Sequence, residues 1–183
     1  MIYPIFVYGN QVLRKIAKKI DRDYENLSQI IENMWETMYH ADGVGLAAPQ
    51  TGQSINLFVI DGKELSDDHP ELKNFKKVFI NAELIETEGE TDSLQEGCLS
   101  LPGIREDVTR PKRIRITYFD EKFQFHDEVY EDQQARIIQH EYDHIEGKLF
   151  IDHLSSLRKR LIKGKLNSIV QGKANVEYKI KLP

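Results

Sequence analysis

Cysteine is almost missing from this chain of 183 residues: Cys98 stands alone, so no disulfide can close within it. That fits a reducing compartment. Also lacking are a charged-then-apolar leader and any apolar run long enough to cross a bilayer, so a cytoplasmic protein with no membrane partner is expected. No single sign of charge prevails, with 25 basic against 30 acidic residues and a formal net charge of -5. Nothing in that balance calls for nucleic acid or anionic lipid. There is no internal repeat and no low-complexity stretch, and the length suits one domain with a sizeable core, residues 1–183. The average hides one asymmetry. Over residues 155–183 the basic side chains are Arg158, Lys159, Arg160, Lys163, Lys165, Lys173, Lys179 and Lys181, against Glu177 alone.

What is present centres on residues 139–147, which contain His140-Glu141-Tyr142-Asp143-His144, a His-Glu-x-x-His motif. On a helix, residues four apart share a face. His140 and His144 can then aim a ring nitrogen at one metal ion while Glu141, on the adjoining flank, reaches the water that the metal activates. Apolar Ala135, Ile137, Ile138, Tyr142 and Ile145 interleave with polar residues, and Gly147 stands where a left-handed cap would end the helix. Two half-buried histidines on an ordinary helix would give the same short match, so a third ligand has to be found. The metzincin continuation would place a histidine at position 150, which is Phe150. A later glutamate, as in thermolysin-like sites, would have to be Glu146, too close, or Glu177, in the terminal tail. Asp152 and His153 are likewise too near. Upstream, Glu96-Gly97-Cys98-Leu99-Ser100 offers the only thiolate. One thiolate and two imidazoles leave the fourth position of a metal open, as a catalytic site requires.

A third motif, Gly43-Val44-Gly45-Leu46-Ala47-Ala48-Pro49-Gln50, precedes both. With GVGLAAPQ, EGCLS and HEYDH in this order, the chain resembles the bacterial-type peptide deformylases, from the Val12-Leu13-Arg14 region to beyond Phe150. Tyr142 and Ile145 depart mildly from the family pattern and leave the ligands untouched. The resemblance implies a metal-dependent hydrolase that removes the N-formyl group from the initiator methionine of nascent polypeptides, with Cys98, His140 and His144 as ligands. It implies Glu141 as general base acting on metal-bound water, with the Gln50 amide and the Leu99 N–H as donors to the developing oxyanion. Substrate contacts fall to Val44, Gly45, Ile137 and Arg105, and a Glu96–Arg110 pair lies beneath the Cys98 loop. The family favours Fe(2+) as the one divalent ion per chain, with Zn(2+), Ni(2+) or Co(2+) possible after purification; N-formylmethionyl peptides are the expected partners. By the same resemblance the basic C-terminal helix docks on the ribosome. Two other classes stay open: a metal hydrolase acting on other N-terminal amides, and a non-enzymatic protein with a structural metal site.

The remaining elements follow from periodicity. Residues 2–8 read as a short strand or extended arm, and Leu27, Ile30, Ile31, Met34, Trp35 and Met38 recur at helical spacing. Residues 55–61 and 77–86 read as strands, 86–95 as an acidic turn-like stretch, and 114–119 with 123–129 as a hairpin. A second amphipathic helix is predicted over residues 155–170. Arg136, one turn before His140, is expected to reach solvent at the pocket rim and is given no role. His40 and His69 are expected at the surface and His126 in cross-strand packing. The expected fold is α+β, one domain, with mostly antiparallel sheets enclosing a central HExxH helix and a C-terminal helix.

Overall fold

The computed structural model describes residues 1–183. In chain order the elements are β1 (Ile5–Phe6), α1 (Leu27–His40), β2 (Gly45–Ala47), β3 (Leu57–Asp61), β4 (Lys76–Gly97), β5 (Arg105–Phe119), β6 (Phe125–Glu131), α2 (Asp132–Ile145), α3 (Ser156–Val170) and β7 (Ile180–Lys181). Strands β2 to β6 form an antiparallel sheet in sequence order, and β1 pairs with β7 in parallel.

Side-chain alternation along β3 decides how the layers stack. Phe58 and Ile60 face one way and join α2 residues Ala135, Ile137, Ile138 and Ile145 in one core. Leu57 and Val59 face the other way and meet Met34 and Met38 of α1. A period of two thus gives one strand two apolar faces, each covered by a helix. A third core, built from Leu101, Ile104, Val108, Phe150, Ile151 and the α3 residues Ile162, Leu166 and Ile169, lies under the Cys98 turn. The α+β, mostly antiparallel architecture around the HExxH helix is as expected.

Two expectations about local structure change. Residues 86–95 are not a turn: β4 continues through them to Gly97, pairing with β5 across Thr87↔Ile114, Ser93↔Thr109 and Leu94↔Val108. The acidic side chains that suggested a loop find basic partners on β5, Glu88 with Arg113 and Glu86 with Arg115. Register shifts interrupt the ladder, one of them between Glu88 and Thr91 around Gly89 at φ +80°; such bulges bend a long hairpin. At the other end, the short strand or extended arm expected over residues 2–8 is strand only at Ile5–Phe6, paired with the equally short β7. The helix stop was legible. Gly147 sits at φ +71°, the Lys148 N–H donates to Asp143 O (2.8 Å) and the Gly147 N–H to His144 O (3.2 Å), which closes α2 as a glycine-capped terminus.

Candidate active site

Helix α2 carries His140, Glu141 and His144 on its buried side, and the turn after β4 brings Cys98 to them. His144 Nε2 lies 3.3 Å from Cys98 Sγ, and one donor atom from each of Cys98, His140 and His144 lies within 4.8 Å of the others. This cluster could hold a metal ion. The other histidine nitrogens bear on that fit. His140 Nδ1 is 2.8 Å from Glu96 Oε2, an ionised acceptor that holds the proton on Nδ1 and leaves the Nε2 lone pair for an ion. Burial alone would raise Glu96, but His140 and Arg110 outweigh it and hold the carboxyl well below its ordinary range. Burial also pushes the Cys98 thiol up, yet His144 and His140 bring it down to about 5, which favours the thiolate form that a metal ligand needs.

Glu141 is 4% exposed, and its Oε2 has no hydrogen-bond partner. Burial pushes its carboxyl up to about 7, within the range suited to taking and returning a proton near neutrality. Gly45 leaves the room for it: a Cβ there would sit 2.7 Å from Glu141 Cδ, so a side chain would displace the carboxylate. Gln50 closes the other side. Its Oε1 accepts from the Ala47 N–H (2.8 Å), which fixes the amide so that Nε2 turns toward Ser100 Oγ (3.2 Å) and Cys98 Sγ (3.6 Å). The Leu99 N–H, next to Cys98, is taken by no acceptor within the chain. These groups open on a cleft of about 1030 Å³. Val44, Gly45 and Ile137 line it, and Arg105 lies across Gly97 at its exposed mouth. His144 is 1% exposed, beneath the floor.

Sequence reasoning missed part of the support. Arg136 does not reach solvent: it is 5% exposed and donates to Glu96 Oε1 (3.0 Å) and Val108 O (2.7 Å), with a further ion pair to Asp92. Its position follows from Glu96, whose two oxygens collect Arg110, Arg136 and His140, as the resemblance anticipated for Arg110 alone (2.6 and 3.0 Å). Asp143, inside the motif, joins Arg110 (2.9 Å) to His153 Nε2 (2.7 Å). A buried carboxylate at the fourth position of HEYDH was the available signal, because an unpaired one would be prohibitive there. Tyr178 of the tail also enters the cleft, with burial pushing its hydroxyl up to about 12; nothing in the sequence marked it. The other histidines behave as expected. His69 pairs with Glu71 at the surface, and His126 stacks on Tyr118 across the strands, at 5.0 Å between ring centroids. His40, exposed at the end of α1, stands on the cleft rim.

Comparison with known proteins agrees with this geometry. Residues 2–160 match the family model described as polypeptide deformylase. The peptide deformylase of Christiangramia forsetii is 54% identical, covering 100% of this chain and 97% of the relative. Among solved structures, the Thermotoga maritima peptide deformylase is 44% identical with a TM-score of 0.76, covering 85% of this chain and 99% of that one. The Legionella pneumophila peptide deformylase is 36% identical with a TM-score of 0.81, covering 96% and 100%. Relatedness of this extent, joined to a cysteine, two histidines and a buried glutamate gathered at one cleft and its floor, places the chain in the polypeptide deformylase family, enzymes that remove the N-formyl group from nascent peptides.

Proposed function

We propose that residues 1–183 act as one catalytic unit that hydrolyses the N-formyl group of the initiator methionine on nascent polypeptides, releasing formate, with Cys98, His140 and His144 holding one divalent metal ion. The observation that carries this reading is the juxtaposition of that donor set with the unpartnered Oε2 of Glu141 at the end of an open cleft. An ion held there would supply Lewis acidity toward the formyl oxygen and lower the pKa of a water to about 7.

The chain's own residues do the rest. Glu141 takes the proton of the attacking water and returns it to the methionine nitrogen, so that the carbon–nitrogen bond breaks to give formate and a free amine. Negative charge that collects on the former carbonyl oxygen is met, on this reading, by two donors. These are Gln50 Nε2, fixed by the Ala47 N–H, and the unengaged Leu99 N–H. Preorganised donors of this kind contribute about 3 kcal/mol each. The methionine side chain packs against Val44 and Ile137, Gly45 borders the reacting group, and Arg105 meets the peptide backbone at the mouth. A mixed thiolate and imidazole set suits Fe(2+), Zn(2+), Co(2+) or Ni(2+); Fe(2+) is our choice for the cell.

The basic face of α3 is our candidate for ribosome docking, because Arg160 and Lys163 are exposed and make no ion pair within the chain. No helix is long and apolar enough to cross a membrane. Action on nascent chains is the ground for our reading of the protein as cytoplasmic.

The test is formate release from a formyl-Met peptide by protein loaded anaerobically with Fe(2+) or Ni(2+), beside Glu141→Ala. The variant should keep one metal per chain and lose turnover by about a thousandfold. Full metal with no turnover by the unaltered protein would sink the reading. Equal turnover of an acetyl-Met peptide would replace it with a broader deacylase.

A further inference from the structure

The turn that carries Cys98 and Leu99 is held by its carbonyls, and each has a different donor. Cys98 O accepts from the Leu101 N–H (2.9 Å), Leu101 O from the Ile104 N–H (3.2 Å), and Ser100 O from the Tyr8 N–H (2.9 Å). Leu99 O is the exception, because its donor is a side chain from the far end of the sequence. The Tyr178 hydroxyl donates to it at 2.8 Å across a separation of 79 residues. Tyr178 does not stand there alone. Asn175, Val176, Glu177 and Tyr178 all line the cleft that holds Gln50, Cys98 and Glu141.

The tail is fastened on the far side of Tyr178. Strand β7 pairs with β1, the Ile5 N–H donates to Lys179 O (2.8 Å), and Asn10 Nδ2 donates to Lys181 O (2.9 Å). Leu182 and Pro183 then cover Gly172 and Gly9, at φ +69° and +100°, where a Cβ would come within 2.8 Å and 2.6 Å of them. The same β1 segment runs into Tyr8, which holds Ser100. The tail therefore braces the ligand-bearing turn twice, directly through Tyr178 and indirectly through the strand that it pairs with.

We propose that the C-terminal segment is part of the active site: residues 175–178 form one wall of the peptide cleft, and Tyr178 is a positioning residue that anchors Leu99 by its carbonyl and so limits rotation at the Leu99 Cα, steadying the adjoining Cys98–Leu99 peptide whose N–H meets the formyl oxygen. This rests on the deformylase reading above. A wall at this place meets the residues that follow the formylated methionine, so the tail also helps to select the peptide. Tyr178→Phe removes only the hydroxyl and leaves the Leu99 carbonyl without its donor, a loss commonly felt as about a tenfold effect. Tyr178→Ala removes the wall as well.

The experiment uses metal-loaded full-length protein and a formyl-Met tripeptide. Tyr178→Phe should lower kcat about tenfold with KM within twofold, bound metal at one per chain and a Tm lowered by only a few degrees. Tyr178→Ala should lower kcat similarly and also raise KM. In parallel, hydrogen exchange of the peptide spanning residues 98–104 should quicken in both variants. Wild-type kcat and KM in both variants would overturn the proposal, and so would a kcat loss fully accounted for by missing metal. Should the unaltered protein release no formate, the deformylase reading fails by itself and exchange still decides: faster exchange in Tyr178→Phe keeps the positioning role, unchanged exchange ends it.

Discussion

Helices α2 and α3 are nearly the same length, 14 and 15 residues, and both carry many polar side chains, yet they sit in opposite environments. Nine residues of α2 are buried, among them Arg136, Gln139, Glu141, Asp143 and His144, whereas α3 buries only Ile162, Leu166 and Ile169. A charge on α2 has to be partnered or put to use, because burial makes an unpaired ion costly. On α3 only Arg158 is tied to a buried partner, Glu106, while Arg160 and Lys163 remain solvated and can be given to another molecule. Even the ends differ. Ser155 Oγ caps α3 by accepting from the Arg158 N–H (3.3 Å), while α2 has no side-chain cap and relies on the core around it.

The most damaging way to break this contrast is Glu96→Ala. It removes the acceptor shared by Arg110, Arg136 and His140 beneath the cleft, leaving Arg110 with Asp143 and Arg136 with Asp92, and a loss of about 3 kcal/mol is expected by analogy with other buried pairs cut on one side. Metal affinity should fall about 10–100-fold with it, since His140 loses the group that orients it. Denaturant unfolding and metal titration would measure both, and unaltered values would remove Glu96 from its role. A milder effect is expected at the half-exposed cluster where Glu128 accepts from Lys77 (3.0 Å) and Tyr118 (2.6 Å) and also meets Tyr130. Burial opposes ionisation there, but those donors lower the Glu128 carboxyl from 4.5 to about 2. A lowered carboxylate stabilises the fold above its unfolded-state value and ceases to do so as pH falls through the folded one. This contribution is complete above about pH 4.5 and fades toward pH 2. In Glu128→Gln, the slope of Tm against pH over that window should flatten; an unchanged slope would count against the network. The smallest effect on stability belongs to Arg160→Glu with Lys163→Glu on α3, which should stay within about 0.5 kcal/mol. The same pair should abolish salt-sensitive cosedimentation with ribosomes, and cosedimentation at the wild-type level would end the docking proposal.

Legibility followed the same division. The helix and glycine cap of α2 could be read because their signals lie within a few residues of one another. The continuation of β4 through residues 86–95 could not. Its acidic residues look like loop until β5 supplies Arg113 and Arg115 across the ladder. Arg136 was misplaced for a related reason: a long basic side chain reads as solvent-seeking unless its acceptors, Glu96 and Asp92, are known to converge on it.

By itself the sequence determined the chemistry. His140 and His144 share a face, with Glu141 on the adjoining flank, because helical geometry is local, and the single cysteine left one thiolate candidate for the third ligand. The tertiary structure decided the assembly. Cys98 meets His144 across 46 residues, Gln50 meets Cys98 across 48, and Tyr178 meets Leu99 across 79. Contacts at such separations must offset the entropy of closing long loops, and only the packed sheet, helices and tail together supply enough burial to do so.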